Sequence, residues 1–440
     1  MSAEISFDKY FERLTQANVT LDIGKVLQVT GFLIKGVIPG VCLGSICEIY
    51  SLYGNKKFQA EVVGFDNQFV LLMPIETMTS IGLGSKIILK RLRSAVPVGD
   101  ELLGRVIDGR GNPIDNLGDL NCSEERDIQN EVVNPLDREA ITEPLCMGIR
   151  AIDGLLTVGR GQKVGILAGS GVGKSVLLGN IAEGSDADIN VIALIGERGR
   201  EVKEFIENSL GEEGLKKSVI IAVTSDDSPL LRVRGAMLSL SISEYFAAQG
   251  KNVLLMMDSV TRFAMAQREI GLNIGEPPTA KGYTPSVFSL LPKLLERVGN
   301  FQDSGSITGL FTVLVEGDDL DDPISDSVRS IVDGHIVLSR ALAEKAHYPA
   351  IDVLKSNSRV MGNVITERDL LISQKVRESI AQYRDVEDLI NIGAYKEGIN
   401  AKIDESIASH EGINQFLRQN ALEKNSFEDI FSHLGQLVGI

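Results

Sequence analysis

KVGILAGSGVGKSVLLGNIAEG, residues 163–184, decides the fold of this 440-residue chain. A short apolar run leads into a glycine-rich loop, and a helix-forming stretch follows. The loop AGSGVGKS, Ala168 to Ser175, puts GKS at a strand-to-helix junction, which is the arrangement of a P-loop. Gly171 and Gly173 let the backbone turn its N–H groups inward around phosphate oxygens, and the following helix adds the positive end of its dipole. Lys174 then reaches the β- and γ-phosphates, and the Ser175 hydroxyl ligates Mg2+. The predicted nucleotide-binding residues are Gly169, Ser170, Gly171, Val172, Gly173, Lys174, Ser175 and Val176. Ala168 departs from the pattern, which has glycine at its first position.

Working outward, apolar runs at Lys163–Leu167, Asn190–Ile195, Val219–Val223, Val253–Met257 and Ile307–Val315 alternate with helical patterns. That alternation predicts an α/β domain with a parallel sheet. VLLMMD ends in Asp258, an acid at a strand's carboxyl edge that can hold Mg2+ through its water shell; a helix cap would use the same residue. IGERGRE, 195–201, sets Glu197 at the end of another strand, where a carboxylate can orient or deprotonate water. Arg198 beside it can steady the phosphate region; the alternative for this charged stretch is a surface ion pair. Arg359, in KSNSRVM, lies 359 − 174 = 185 residues beyond Lys174. An arginine so distant can act as a finger from the next subunit of a ring, or serve structure alone.

Two flanking regions differ in texture. From Val19 to Arg93, short β-rich runs punctuated by glycine predict a small barrel. Beyond Met361, helix formers dominate. The expected division is 1–94 for the barrel, 95–362 for a RecA-like ATPase domain and 363–440 for a helical domain. Phe7, Tyr10, Phe11 and Leu14 have amphipathic-helix spacing, suited to packing on the barrel or docking a partner or membrane surface.

Composition narrows the function. Lys+Arg at 44 against Asp+Glu at 60 gives 44 − 60 = −16, which disfavours nucleic-acid binding. Cys42, Cys47, Cys122 and Cys146 form no CxxC pair and only four histidines accompany them, so four small buried thiols are expected rather than zinc or disulfides. The N-terminus has no apolar core of signal-peptide kind and no run suits a membrane span, which predicts a cytoplasmic protein.

Five stretches together resemble the hexameric ring ATPases that include rotary ATP synthase subunits, the Rho helicase and type III protein-export ATPases. They are VPVGDELLGRVIDGRGNPID (96–115), AIDGLLTVGRGQKVGILAGSGVGKS (151–175), ALIGERGREV (193–202), MMDSVTRFAMAQREIGLNIGEPPTAKGYTPSVFSLLPKLLERVG (256–299) and GHIVLSRALAEKAHYPAIDVLKSNSRVM (334–361). The last two are most similar to the export branch, and AMAQREIG with GYTPSVF to its flagellar members. The resemblance implies a homohexamer that hydrolyses ATP with Mg2+ at subunit interfaces to energise protein export. It matches Lys174 and Ser175 to the P-loop pair, Glu197 to the catalytic carboxylate and Arg198 to its neighbour. Asp258 matches the Walker B acid, Arg262 the arginine after it, Tyr348 the aromatic stacked on adenine, and Arg359 the interface finger. It also implies a stator-like regulator, a coiled-coil stalk protein, export-gate membrane proteins and chaperone–cargo complexes as partners, at the inner membrane's cytoplasmic face. Asn357 departs from the small apolar or hydroxyl residue usual beside the finger.

Other readings stand beside the flagellar one. They are an injectisome ATPase, a rotary catalytic subunit, which fits GEPPTAKGYTPSVF poorly, a Rho-like RNA motor, which acidity and sparse aromatics disfavour, and a non-hydrolysing scaffold. The Pro/Gly-rich run 275–286 is read as an irregular loop facing a pore or the surface, and the acidic run 316–323 as a solvated loop.

Overall fold

The computed structural model describes residues 22–440 except 54–55, 77, 131–132, 316, 318, 320, 421–422 and 424. The amphipathic pattern of Phe7 to Leu14 lies outside the described residues.

The first compact unit, which comprises the chain up to Ser94 and Asn273–Gly275, is built around six strands: β1 (Ile23–Thr30), β2 (Leu33–Val37), β3 (Ile46–Tyr50), β4 (Lys57–Asp66), β5 (Phe69–Pro74) and β6 (Lys86–Arg91). They close into a barrel in the order β1-β2-β5-β4-β3-β6, leaving no free sheet edge. The two-residue period of a strand turns Val26, Ile34, Ile49, Val62, Leu72 and Ile87 inward to one buried cluster, with Lys25 and Lys35 facing outward. Cys47 sits in that cluster. Of the four thiols expected inside, only Cys47 and Cys146 are buried. Cys42 is exposed because it occupies the turn before β3, where its N–H donates to Ser45 Oγ at 3.0 Å, and Cys122 is half-buried.

The second unit spans Ala95–Leu272 and Glu276–Ile440. Its sheet contains β7 (Val106–Ile107), β8 (Lys163–Ala168), β9 (Ile189–Glu197), β10 (Ser218–Thr224), β11 (Val253–Asp258), β12 (Ser306–Leu314), β13 (Gly334–Leu338) and β14 (Asn357–Ser358). The spatial order is β14-β13-β8-β12-β11-β9-β10-β7, with the pair Gly299–Asn300 added to β12. All neighbours are parallel except β14 and Gly299–Asn300. Each of the five apolar runs is a strand, buried on both faces as helices covering a parallel sheet require. The runs did not reveal β13, because only Ile336, Val337 and Leu338 of its GHIVL form an apolar run, yet it flanks the P-loop strand.

Parallel pairing brings the carboxyl ends of β8, β9, β11 and β12 to one edge, the usual place for a ligand in such a sheet. Beyond β14, helices run over Glu367–Asn391, Ala401–Leu417 and Phe427–Val438, with Thr366, Asn400 and Ser426 accepting first-turn N–H bonds as caps. Ile372, Val376, Phe416 and Leu434 join the apolar cluster containing Ile152 and Leu155 of the helix Arg150–Leu155. Burial of each such side chain contributes about 1.5–3 kcal/mol. Contact is close at Gly154, where a Cβ would lie 2.8 Å from Leu434 Cδ1.

Candidate active site

The loop after β8 turns through Gly171 at φ 79° and Gly173 at φ 86°, left-handed values that suit glycine. Gly173 caps the helix Lys174–Gly184, so loop amides and helix dipole converge on one point. There a cavity of about 880 Å³ opens, lined by Gly169, Ser170, Gly171, Gly173, Lys174, Ser175 and Val176, and across it by Glu197, Arg198, Glu201 and Arg262. Val172, the remaining loop residue, is buried in the core beneath.

At the base of the loop, Lys174 Nζ donates to Asp258 Oδ1 and lies 3.8 Å from Glu197 Oε1. Asp258 is only 3 % exposed, and it also accepts from Thr312 Oγ1 at 2.7 Å. Burial pushes the Glu197 carboxyl up to about 7, and repulsion from Asp258 adds to this while Lys174 opposes it. A carboxyl held near neutrality beside a phosphate loop is suited to accept a proton from water.

Glu197 owes its direction to Gly196. The pairing of β9 with β10 shifts register between Ile195 and Glu197, and Gly196 takes φ 73°. This bulge re-aims the next side chain. A Cβ at Gly196 would also come within 2.9 Å of Arg262 Cβ. Arg262 Nε is buried without a hydrogen-bond partner, so that guanidinium has donor capacity for an anion in the cavity. Arg198 extends outward and pairs with Glu201 at 3.5 Å, the ion pair that its charged surroundings suggested.

Family models match two adjoining stretches. Residues 148–358 match the ATP synthase alpha/beta family, nucleotide-binding domain, and residues 365–436 match the T3SS EscN ATPase C-terminal domain. A flagellum-specific ATP synthase of Bacillus subtilis is 50% identical over 417 residues, covering 94% of this chain and 95% of that protein. The chain belongs to the family of flagellum-specific ATP synthases and type III secretion ATPases. A second flagellum-specific ATP synthase, from Treponema pallidum, is 48% identical over 432 residues, 98% of this chain and 96% of its own length. Among solved structures, the assembled ATPase EscN of an enteropathogenic E. coli type III secretion system aligns with TM-score 0.88 and 45% identity, over 94% of this chain and all of that one. EscN solved in complex with its central stalk EscO aligns with TM-score 0.87, at the same identity and coverage.

Two residues that the family resemblance singled out stand apart from the cavity of this family member. Tyr348 is 46 % exposed beside the loop, its Cε1 3.4 Å from where a Gly173 Cβ would be. Arg359 is exposed past β14; its backbone N–H donates to Asp333 O at 2.9 Å, and the residue takes no part in the cavity wall. Thr312, Gly196 and Arg340, which also lines the cavity, were not singled out by sequence reasoning. The acidic run is more than a solvated loop, since Asp319 and Asp322 pair with Lys281 at 3.3 and 3.0 Å and Asp322 caps the helix Pro323–Ile331. The run 275–286 is likewise less irregular than expected, because it includes the turn Ala280–Gly282 and the start of the helix Pro285–Leu295.

Proposed function

We propose that this chain hydrolyses Mg·ATP as a homohexameric ring and energises protein export by a flagellar type III apparatus. The observation that carries the hydrolytic reading is the convergence of Lys174, Glu197 and Asp258 beneath the P-loop. Glu197 takes the proton of the water that attacks the γ-phosphorus. Lys174 and Arg262, joined by Arg198 when it leaves its exposed pair with Glu201, offset charge on the phosphate oxygens, and a neighbouring subunit's Arg359 completes that set. Tyr348 offers a ring face to adenine.

Ser175 and Asp258 would hold Mg2+, which supplies charge neutralisation on the phosphates when bound. The donor chemistry fits. One hydroxyl and one carboxylate are hard oxygen ligands, and magnesium keeps most of its shell as water and phosphate oxygen. Among the described residues no group of three or more His, Cys, Asp or Glu forms a cage suited to another metal.

The relatives' flagellar names support that system over an injectisome, and EscN solved with its stalk supports self-assembly and a stalk partner. The same proposal includes a stator-like regulator, export-gate membrane proteins and chaperone–cargo complexes, a place at the inner membrane's cytoplasmic face, and the division 1–94, 95–362 and 363–440. Among the described residues, no helix is long and apolar enough to cross a membrane.

Glu197→Gln tests the reading. Turnover measured by phosphate release should fall about 10²–10⁴-fold while ATP binding persists. Undiminished turnover in that variant would remove Glu197 from the chemistry.

A further inference from the structure

Asp258 faces two donors through the same oxygen. Lys174 Nζ and Thr312 Oγ1 both contact Oδ1, one from the P-loop helix and one from the adjacent strand β12. An ionised carboxylate can only accept, so the Thr312 hydroxyl donates. Thr312 is wholly buried, with Phe311 and Val313 buried on either side in β12. Valine would fill that volume equally well, so a hydroxyl there needs a polar reason, and the acceptor is Asp258.

The two donors differ in freedom. Lys174 stands on a helix at the cavity wall, and the proposed hydrolysis requires its ammonium at the phosphates. When it moves there, a carboxylate 3 % exposed loses its cation. A buried charge left without partners is strongly unfavourable. Thr312 cannot leave, because it belongs to a central strand of the sheet.

We infer that Thr312 is a positioning residue that keeps Asp258 compensated and aimed while Lys174 changes partner from Asp258 to the nucleotide. The inference rests on the phosphate-site reading above, and it concerns nucleotide entry rather than proton transfer. Without magnesium, Thr312 is the donor that remains on Asp258 once Lys174 departs. With magnesium present, the metal's charge shares that burden.

Calorimetric titration of the full chain with ATP, in EDTA and in excess Mg2+, tests this. Thr312→Val should weaken binding about tenfold in EDTA, the scale of a hydrogen bond to a charged group, and by a smaller factor with Mg2+. Thr312→Ser should restore wild-type affinity in both. Should the valine variant fail to fold, Thr312→Ala removes the hydroxyl without setting a second methyl against Asp258 and is held to the same expectation. Wild-type affinity in EDTA, a loss equal to or larger with Mg2+, or no rescue by serine would each overturn the assignment. A wild-type chain that binds no ATP would instead break the phosphate-site reading.

Discussion

At the carboxyl end of β8, Lys174 is enclosed between Asp258 and Glu197, whereas at the edge of the same sheet Arg359 stands exposed with its backbone bonded to Asp333. The first region pairs its charges within the chain, so its chemistry can be read from one subunit. The second presents a cation outward, away from the cavity at the loop. If the site is divided between subunits, as proposed above, each chain carries this difference: a binding half and a detached donor.

The contrast breaks most visibly at Arg359. Arg359→Ala should lower turnover of the assembled ring by about 10³–10⁵, the scale of an arginine finger, while ATP affinity of the isolated chain stays unchanged. A fall in affinity of the isolated chain would mean that Arg359 serves its own cavity.

A smaller effect sharpens the enclosed half. Burial and Asp258 raise Glu197 to about 7, and a base must be ionised to act. The kcat/KM of the wild type, which reports groups of the free enzyme, should therefore fall as pH drops through about 7, tenfold per unit. An ordinary carboxylate would hold the plateau to about pH 4–5. In Glu197→Gln the residual rate should lose that limb; a limb that persists would assign the titration to another group.

The smallest effect asks whether exposure alone marks function. Lys281 is half-exposed, as a finger would be, but it is paired inside the chain with Asp319 and Asp322. Lys281→Ala should leave turnover within about twofold and shift Tm by no more than about 2 °C, as exposed ion pairs do. A large loss of turnover would show that the loop carries more than this local tie.

The loop, the carboxylates and most of the sheet were legible in the sequence because each depends on neighbours in the chain. GKS needs glycines a few residues away, and Glu197 and Asp258 end apolar runs that are strands by themselves. What the sequence hid depends on distant partners. Thr312 acquires its role from Asp258, 54 residues away, and in SITGLFTVL it reads as an ordinary β-branched strand residue. Gly196 reads as part of a motif, yet its bulge exists only in register with β10. The exposure of Cys42 follows from a turn that composition does not encode.

Mixing two inactive variants tests the divided site most directly. Glu197→Gln subunits retain Arg359, and Arg359→Ala subunits retain Glu197. In rings assembled from equal amounts of both, about one interface in four joins an intact Glu197 to an intact Arg359. Phosphate release from the mixture should rise well above that of either variant alone. A mixture no more active than its components would contradict a site shared between subunits.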